Sequence, residues 1–423
     1  MDGGSRAAGR RFRPVRWMFI AATIGVIARL AFALGYWTGQ PLTRDEQEYL
    51  SLARSLAHGN GFVYDEALES AGVDTFGRAP GYPAFLALVG GGRTIAAGVP
   101  VPVAIAQSIV GAIGVLLAGA IAWRLAGPHA AVAAAAVAAV YPPLVWIAGY
   151  ALSEAIAWPI GLAAAWTFDR TTADGRHGPA TAALCGAITG VGVLTRPALL
   201  LLLPLFAIVL VRRRHTTRLL ALALGAAVIV GPWIARNHVV HGRLIAVSAT
   251  GGVNFWVGNH PLAVGDGDMA ANPAIKLDNA RLRSEYPGLS EEAMEPIYYR
   301  EAWSWIRANP IAWAALELRK VYHLIVPVGP SYTLHSTRYQ VASVVSYLAV
   351  LTLAVLSLRV VRPHLDRATG LWLLAGSAAI SALIFFPQER FRIPAIDPAL
   401  VVLAGVALAR RPWAAAARPE PGA

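Results

Sequence analysis

The sequence predicts an all-α polytopic membrane protein: a bundle of about ten transmembrane helices, within a range of about nine to twelve, with interfacial helices in its outer loops. Three observations predict this. Of 423 residues, 56% are hydrophobic and only 14% charged, against about a quarter charged in an ordinary soluble domain. Apolar runs of about 17–25 residues, the length that crosses a bilayer, recur along the chain. Basic clusters and acidic segments alternate in the links between those runs. The basic ones are RRFRPVR (10–16), 170–177, RRRHTTR (212–218), RVVRPHLDR (359–367) and Arg410–Arg411; most acids fall in 45–74 and 266–317. A Lys/Arg excess in short links marks the cytoplasmic side. The net charge of +12 therefore reports topology, and nucleic acid is not an expected partner.

The first span covers about 17–37 and leaves the cytoplasm, with the N-terminus inside. It is long for a signal-peptide core and lacks a small-residue cleavage site, so it reads as an anchored span. An outer loop over about 38–100 follows. In it TRDEQEYLSLARSLAHGNGF (43–62) reads as a short amphipathic surface helix. Thr43-x-x-Glu46 fits a capping box, as does Asp45-x-x-Glu48 shifted by two. PGYPAFLALVGG (80–91) is too short to span and reads as interfacial. Spans at about 101–125, 129–147 and 154–170 follow, with Glu154 at an outer corner. Spans at about 179–194 and 198–211 form a hairpin whose outer tip is Leu194-Thr195-Arg196-Pro197. A span at about 218–235 leads to a long outer segment, about 236–338. Spans at about 339–358, 369–386 and 394–409 complete the bundle. The bundle domain runs to about residue 410, and 411–423 is expected to be a disordered cytoplasmic tail. The one cysteine, Cys185, lies inside an apolar run and reads as a small buried hydrophobe.

Candidate chemistry gathers on the outer side. Asp45 and Glu46 follow the first span directly, and Glu154 sits beside another span end. Capping needs only one acid, and acids at the membrane boundary are costly unless used or paired. Arg78, Arg196, Arg390 and Arg392 lie on the same side, against the positive-inside tendency. Ion pairing with the acids would account for any one of them; as a group they suit phosphate oxygens, which guanidinium binds in a bidentate fashion. Tyr82, Asn259 and His260 are weaker candidates for sugar or acceptor contact. Asp266 and Asp268 in GDGD read as a solvated turn, because the rest of a calcium loop is missing. No Walker A, HExxH, GxSxG or CxxC pattern occurs, so nothing points to ATP-driven or thiol chemistry.

The order of motifs carries a resemblance. DExxYLxxAxxLxxGxGF after the first span is followed by RxPGYPxFLAL, YPP…LSEA, LTRP, GGVNFWVGNHP and ERFRIPxxDP. This resembles the bacterial protein O-mannosyltransferase and lipid A aminoarabinose transferase-like superfamily, which are membrane glycosyltransferases of the GT-C fold. The resemblance implies a GT-C-like bundle. It also implies a polyprenyl-phosphate sugar donor and transfer at the periplasmic face of a bacterial inner membrane. The family's essential acid maps onto Asp45, with Glu46 beside it, and its second acid onto Glu154. Its phosphate-binding residues map onto Arg78, Arg196, Arg390 and Arg392. The sugar-binding outer domains that the protein mannosyltransferases carry are not expected in this sequence, which counts against protein as acceptor; the acceptor stays open among protein, lipid A, a wall polysaccharide and another glycolipid. A divalent cation, Mg²⁺ or Mn²⁺, is compatible with the clustered carboxylates, with the metal ligands unassigned. The alternatives are an oligosaccharide polymerase or ligase using a polyprenyl-diphosphate carrier, a lipid or solute transporter, and a non-catalytic envelope scaffold. A transporter would place charge near the bilayer midplane, often in repeated halves; the recognised charges lie at one face, and no repeat is evident.

Overall fold

The computed structural model describes residues 13–65, 78–92, 97–173, 178–331 and 336–409. Residues 10–12, 66–74 and 174–177 of the charged segments, Arg410–Arg411 and the expected tail 411–423 lie outside the described residues. Among the described residues all regular structure is helical.

Each of the ten expected spans corresponds to helical chain. The first is α1 (Pro14–Phe32), prolonged by a wide turn over Ala33–Trp37. The surface helix is α2 (Arg44–Ala57), and PGYPAFLAL supplies α3 (Gly81–Leu88). The next spans are α4 (Val101–Ala126) and α5 (Pro128–Val140). The third expected span is not one helix. It breaks after Val140 and resumes as α6 (Pro142–Trp146) with a 3₁₀ turn to Gly149, bent by 62°. Pro142 and Pro143 have no N–H to continue the helical ladder, which forces the break.

Then come α7 (Glu154–Thr172), α8 (Gly178–Thr195), a 3₁₀ turn at Pro197–Leu201 with α9 (Leu202–Arg212), and α10 (Thr216–His241). The last runs six residues past the expected span end, so Arg236 lies within it. The long outer segment folds as α11 (Gly251–Gly258), α12 (Pro273–Ser284), α13 (Glu291–Ala308) and α14 (Pro310–Ile325). The chain ends in α15 (Thr337–Val361), α16 (Thr369–Ile384), a 3₁₀ turn at Glu389–Arg392, and α17 (Ile396–Leu408).

Among the described residues, five helical stretches are long and apolar enough to cross a membrane, or six if the bent α5–α6 pair is one span. The fifth, Thr337–Ile384, contains both α15 and α16. Pro197–Arg212 and α17 are shorter apolar helices. Leu220, Leu224 and Val228 on α10 stay more than 60% exposed, the mark of a face turned to lipid. Inside, α5 buries Ala130, Ala131, Ala134, Ala135, Ala138 and Ala139 against α1, α4 and α17. Small side chains let the backbones approach, and dispersion then operates over the whole helix length. The outer helices have their own core of Phe255, Trp256, Ile275, Met294, Ile297 and Phe386. Other residues of the same segment, Thr250, Asn254 and Glu295 among them, line a cavity that bundle residues also line.

Candidate active site

The cavity holds about 960 Å³, near the upper end of ordinary ligand pockets (about 300–1,000 Å³). One wall comes from α2, which owes its position to its cap. Thr43 is extended, and its hydroxyl accepts a bond from the Glu46 N–H at 3.4 Å. The Glu46 carboxylate accepts in return from the Thr43 N–H at 2.8 Å and its hydroxyl at 2.8 Å. With Thr43 as cap, the alternative Asp45–Glu48 box does not form. Helical periodicity then turns Asp45, Glu48 and Tyr49 to the cavity and Glu46 inward.

Asp45 is the centre of the charge network. Arg78 Nη2 pairs with its Oδ1, and Arg390 Nη1 lies 2.6 Å from its Oδ2. Burial opposes ionisation of this carboxyl. Arg390 and then Arg78 outweigh that, and hold it well below the usual carboxylate range. Arg78 also donates from Nε to Glu48 Oε2 at 2.7 Å and lies over the Tyr49 ring at 5.0 Å. Glu154 opens α7 and is 2% exposed; Arg196 Nη1 lies 3.0 Å from its Oε1, and Arg390 Nε 3.8 Å from the same atom. Arg196 also donates to Ser153 Oγ at 3.2 Å and packs over Phe391. Arg390 Nη2 reaches Asp268 Oδ2 at 3.9 Å. Asp45, Glu154, Arg78, Arg196 and Arg390 therefore meet at one place, although they come from five separate segments.

Arg392 also borders the cavity but is 3% exposed, 3.6 Å from Asp397 Oδ1 and stacked at 3.8 Å over Tyr347. It underpins the site from below rather than joining the cluster around Asp45.

Four expected site residues lie outside the cavity wall, each with local reasons. Glu46 is fully buried; besides the cap, its Oε1 accepts the Ala151 N–H at 2.9 Å. Tyr82 is fully buried and donates to Gln107 Oε1 at 2.6 Å. Asn259 donates to Phe255 O and Ile384 O at 2.8 and 3.0 Å and accepts from Trp313 and Lys320. His260 Nε2 contacts Asp278 Oδ2 at 2.9 Å, while its Nδ1 accepts the Leu262 N–H, and burial lowers its pKa. A buried polar group left without a partner costs about 1–3 kcal/mol, so such groups satisfy one another inside the fold. Conversely, Glu48 and Asp268 line the cavity and were not expected there. Glu48 is four residues beyond Arg44, to which it pairs at 3.1 Å. Asp268 caps its own turn through Oδ1, accepting the Ala270 N–H at 2.9 Å, and turns Oδ2 to Arg390.

Glu46 thus positions α2 against the turn leading into Glu154. Glu46→Ala removes the capping box and the Ala151 bond together. It is expected to destabilise the protein by about 2–4 kcal/mol, read as a lower thermal midpoint, on the scale of a lost cap plus an orphaned buried donor. An unchanged midpoint would refute the positioning role.

The carboxylates do not fit a divalent cation. Both Asp45 oxygens are taken by guanidinium groups, and Glu154 Oε1 faces two more guanidinium nitrogens. Among the described residues no group of three or more His, Cys, Asp or Glu is placed to hold a metal ion. A cation there would have to displace three arginines of like charge.

The rest of the cavity is of two kinds. Towards the bundle it is apolar, with Leu199, Leu200, Leu201, Ala378, Ala382, Phe385 and Ile396. From the long outer segment it is mixed, with Ile245, Val247, Val253 and Met269 beside Ser248, Thr250, Asn254, Lys276, Asn279, Glu291 and Glu295.

No protein-family model matches the chain, and no curated protein matches it by sequence. Solved structures match its fold, among them the following two. One is the archaeal oligosaccharyltransferase AglB from Archaeoglobus fulgidus, in complex with an inhibitory peptide and a dolichol-phosphate. It shares 15% identity at a TM-score of 0.54, over 93% of this chain and 50% of that one. The other is ArnT from Cupriavidus metallidurans in the apo state, with 14% identity and a TM-score of 0.55, over 94% of this chain and 60% of that one. The chain thus spans 50% and 60% of the length of these two proteins. At such identities the likeness is one of architecture: the chain has the GT-C fold of membrane glycosyltransferases.

Proposed function

We propose that the protein is a glycosyltransferase that moves a sugar from a polyprenyl-phosphate donor to an acceptor hydroxyl at the extracytoplasmic face of a bacterial inner membrane. The observation that carries this is the charged cavity: the guanidinium groups of Arg78, Arg196 and Arg390 meet the carboxylates of Asp45 and Glu154 in a cavity lined by both apolar and polar side chains. A lipid-linked sugar phosphate carries groups that match this lining: a tail for the apolar side chains, a phosphate for the guanidinium groups and a sugar for the polar side chains. The dolichol-phosphate in the AglB complex supports a lipid phosphate as the donor's reacting end.

The residues perform the transfer as follows. The donor phosphate takes hydrogen bonds from Arg78, Arg196 and Arg390, drawing the guanidinium groups away from the carboxylates. Asp45, relieved of part of that pairing, becomes more basic. It accepts the acceptor's hydroxyl proton as the acceptor oxygen bonds to the anomeric carbon. The bond between that carbon and the phosphate oxygen breaks, and its electron pair leaves with the polyprenyl phosphate. The arginines stabilise the charge that develops there. Glu154 orients the acceptor and keeps Arg196 and Arg390 in register.

Purified protein in lipid nanodiscs, supplied with a panel of polyprenyl-phosphate sugars and an envelope extract, should release free polyprenyl phosphate, followed by mass spectrometry. Release only from diphosphate-linked glycans would transfer the assignment to a polymerase or ligase. Release from neither carrier by folded protein would overturn the proposal. Because the carboxylates are already paired, EDTA should leave the rate of release unchanged. A loss restored by Mg²⁺ or Mn²⁺ would show that the acids serve a metal after all.

A further inference from the structure

The break between α5 and α6 leaves two carbonyls without their usual partners. In a continuous helix Ala138 O and Ala139 O would accept from the N–H groups of residues 142 and 143. Both positions are proline, so neither donor exists. In a membrane interior no water replaces them, and an orphaned carbonyl there is strongly unfavourable. One side chain reaches both. Arg29, fully buried in α1, donates from Nη2 to Ala138 O at 3.2 Å and from Nη1 to Ala139 O at 3.4 Å. Nη1 also donates to Gly25 O at 2.9 Å.

The surroundings are shaped for a guanidinium. A Cβ on Gly111 would come within 2.7 Å of Arg29 Nε, and one on Gly25 within 2.8 Å of Nη1. The Trp158 ring lies 5.7 Å from the guanidinium carbon, within cation–π range.

We infer that Arg29 is a positioning residue: it substitutes for the two N–H donors that Pro142 and Pro143 lack, and so fixes the bend that delivers Ser153 and Glu154 to the cavity. The connection is short. Beyond the bend, Gln107 donates to Ala148 O at 3.0 Å and Tyr150 O at 2.9 Å, Glu46 accepts the Ala151 N–H, and Glu154 follows three residues later. The inference concerns the backbone and holds whatever reaction the cavity supports.

The test is a mutant cycle read by amide hydrogen exchange and mass spectrometry in nanodiscs. Arg29→Met keeps the bulk and removes the donors. It should raise exchange over residues 148–152 by about tenfold or more while leaving 185–195 in α8 near wild type, since local opening reports local support. Arg29→Lys, which keeps a donor, should fall between. In a Pro142→Ala/Pro143→Ala background the carbonyls regain N–H partners, so Arg29→Met should add less than about twofold. Unchanged exchange in Arg29→Met, an equal rise in both backgrounds, or a rise spread over the whole chain would each overturn the inference.

Discussion

Replacing Asp45 with Asn should lower the rate of polyprenyl phosphate release by about 10²–10⁴-fold, the range associated with losing a positioned general base. The shape of the side chain survives, so the protein should still insert and run as wild type in size-exclusion chromatography. What is lost is a carboxylate held between Arg78 and Arg390. Burial opposes its ionisation, and the two arginines overcome that. With the folded pKa depressed, the stability this carboxylate contributes is present above its unfolded value, about 3.9. It is lost only as pH falls through the lower folded value. Thermal midpoints of wild type and Asp45→Asn should therefore differ at neutral pH and converge in strong acid. Wild-type release from Asp45→Asn would remove the base assignment outright.

Loss of Arg390 should be nearly as damaging. Its guanidinium faces Asp45, Glu154 and Asp268 together, so it joins the outer loop, α7 and the long outer segment. Arg390→Gln should reduce kcat by about 10²–10³-fold, comparable to deleting an oxyanion-stabilising donor. It should also lower the thermal midpoint, because three carboxylates lose a counter-charge. Arg390→Lys should recover little. A single ammonium keeps the charge but cannot present a planar fork to two carboxylates or to a phosphate. A lysine variant with wild-type kcat would show that charge alone matters and that the planar fork does not.

The bundle and the charged cluster differ in how far the sequence exposes them. Span positions are legible because lipid imposes a length and a composition. The broken third span is also encoded, in YPP, but hydropathy averaged over a window passes straight across it. Arg29 is hidden in the same way: one cation in a long apolar run barely changes the average, though a charge at that depth needs a reason. In the site, Asp45, Glu154, Arg78, Arg196 and Arg390 stand out because each is a charge beside the end of an apolar run, on the side expected to be outer.

Glu48 and Asp268 were obscured because each also fits a local pattern, a capping pair and a turn. Tyr82, Asn259 and His260 show the opposite difficulty. Their residue types suggest ligand contact, but their partners are Gln107, Ile384 and Asp278, which no local spacing reveals. Glu46 was legible as a cap from Thr43-x-x-Glu46; its reach to Ala151, over a hundred residues away, was not.

The pairing of arginines with acids also bears on turnover. A cradle of bare arginines would hold a phosphate dianion tightly, and a product that binds as well as the substrate slows the next cycle. Here Asp45, Glu48 and Glu154 stand ready as resident counter-ions. On the proposed reading, once the sugar has left, Glu48 and Glu154, and Asp45 after it has shed the proton it took, compete with the spent phosphate for the same guanidinium groups. Ejection of the proposed lipid carrier would then be an exchange of one anion for another at the same guanidinium groups.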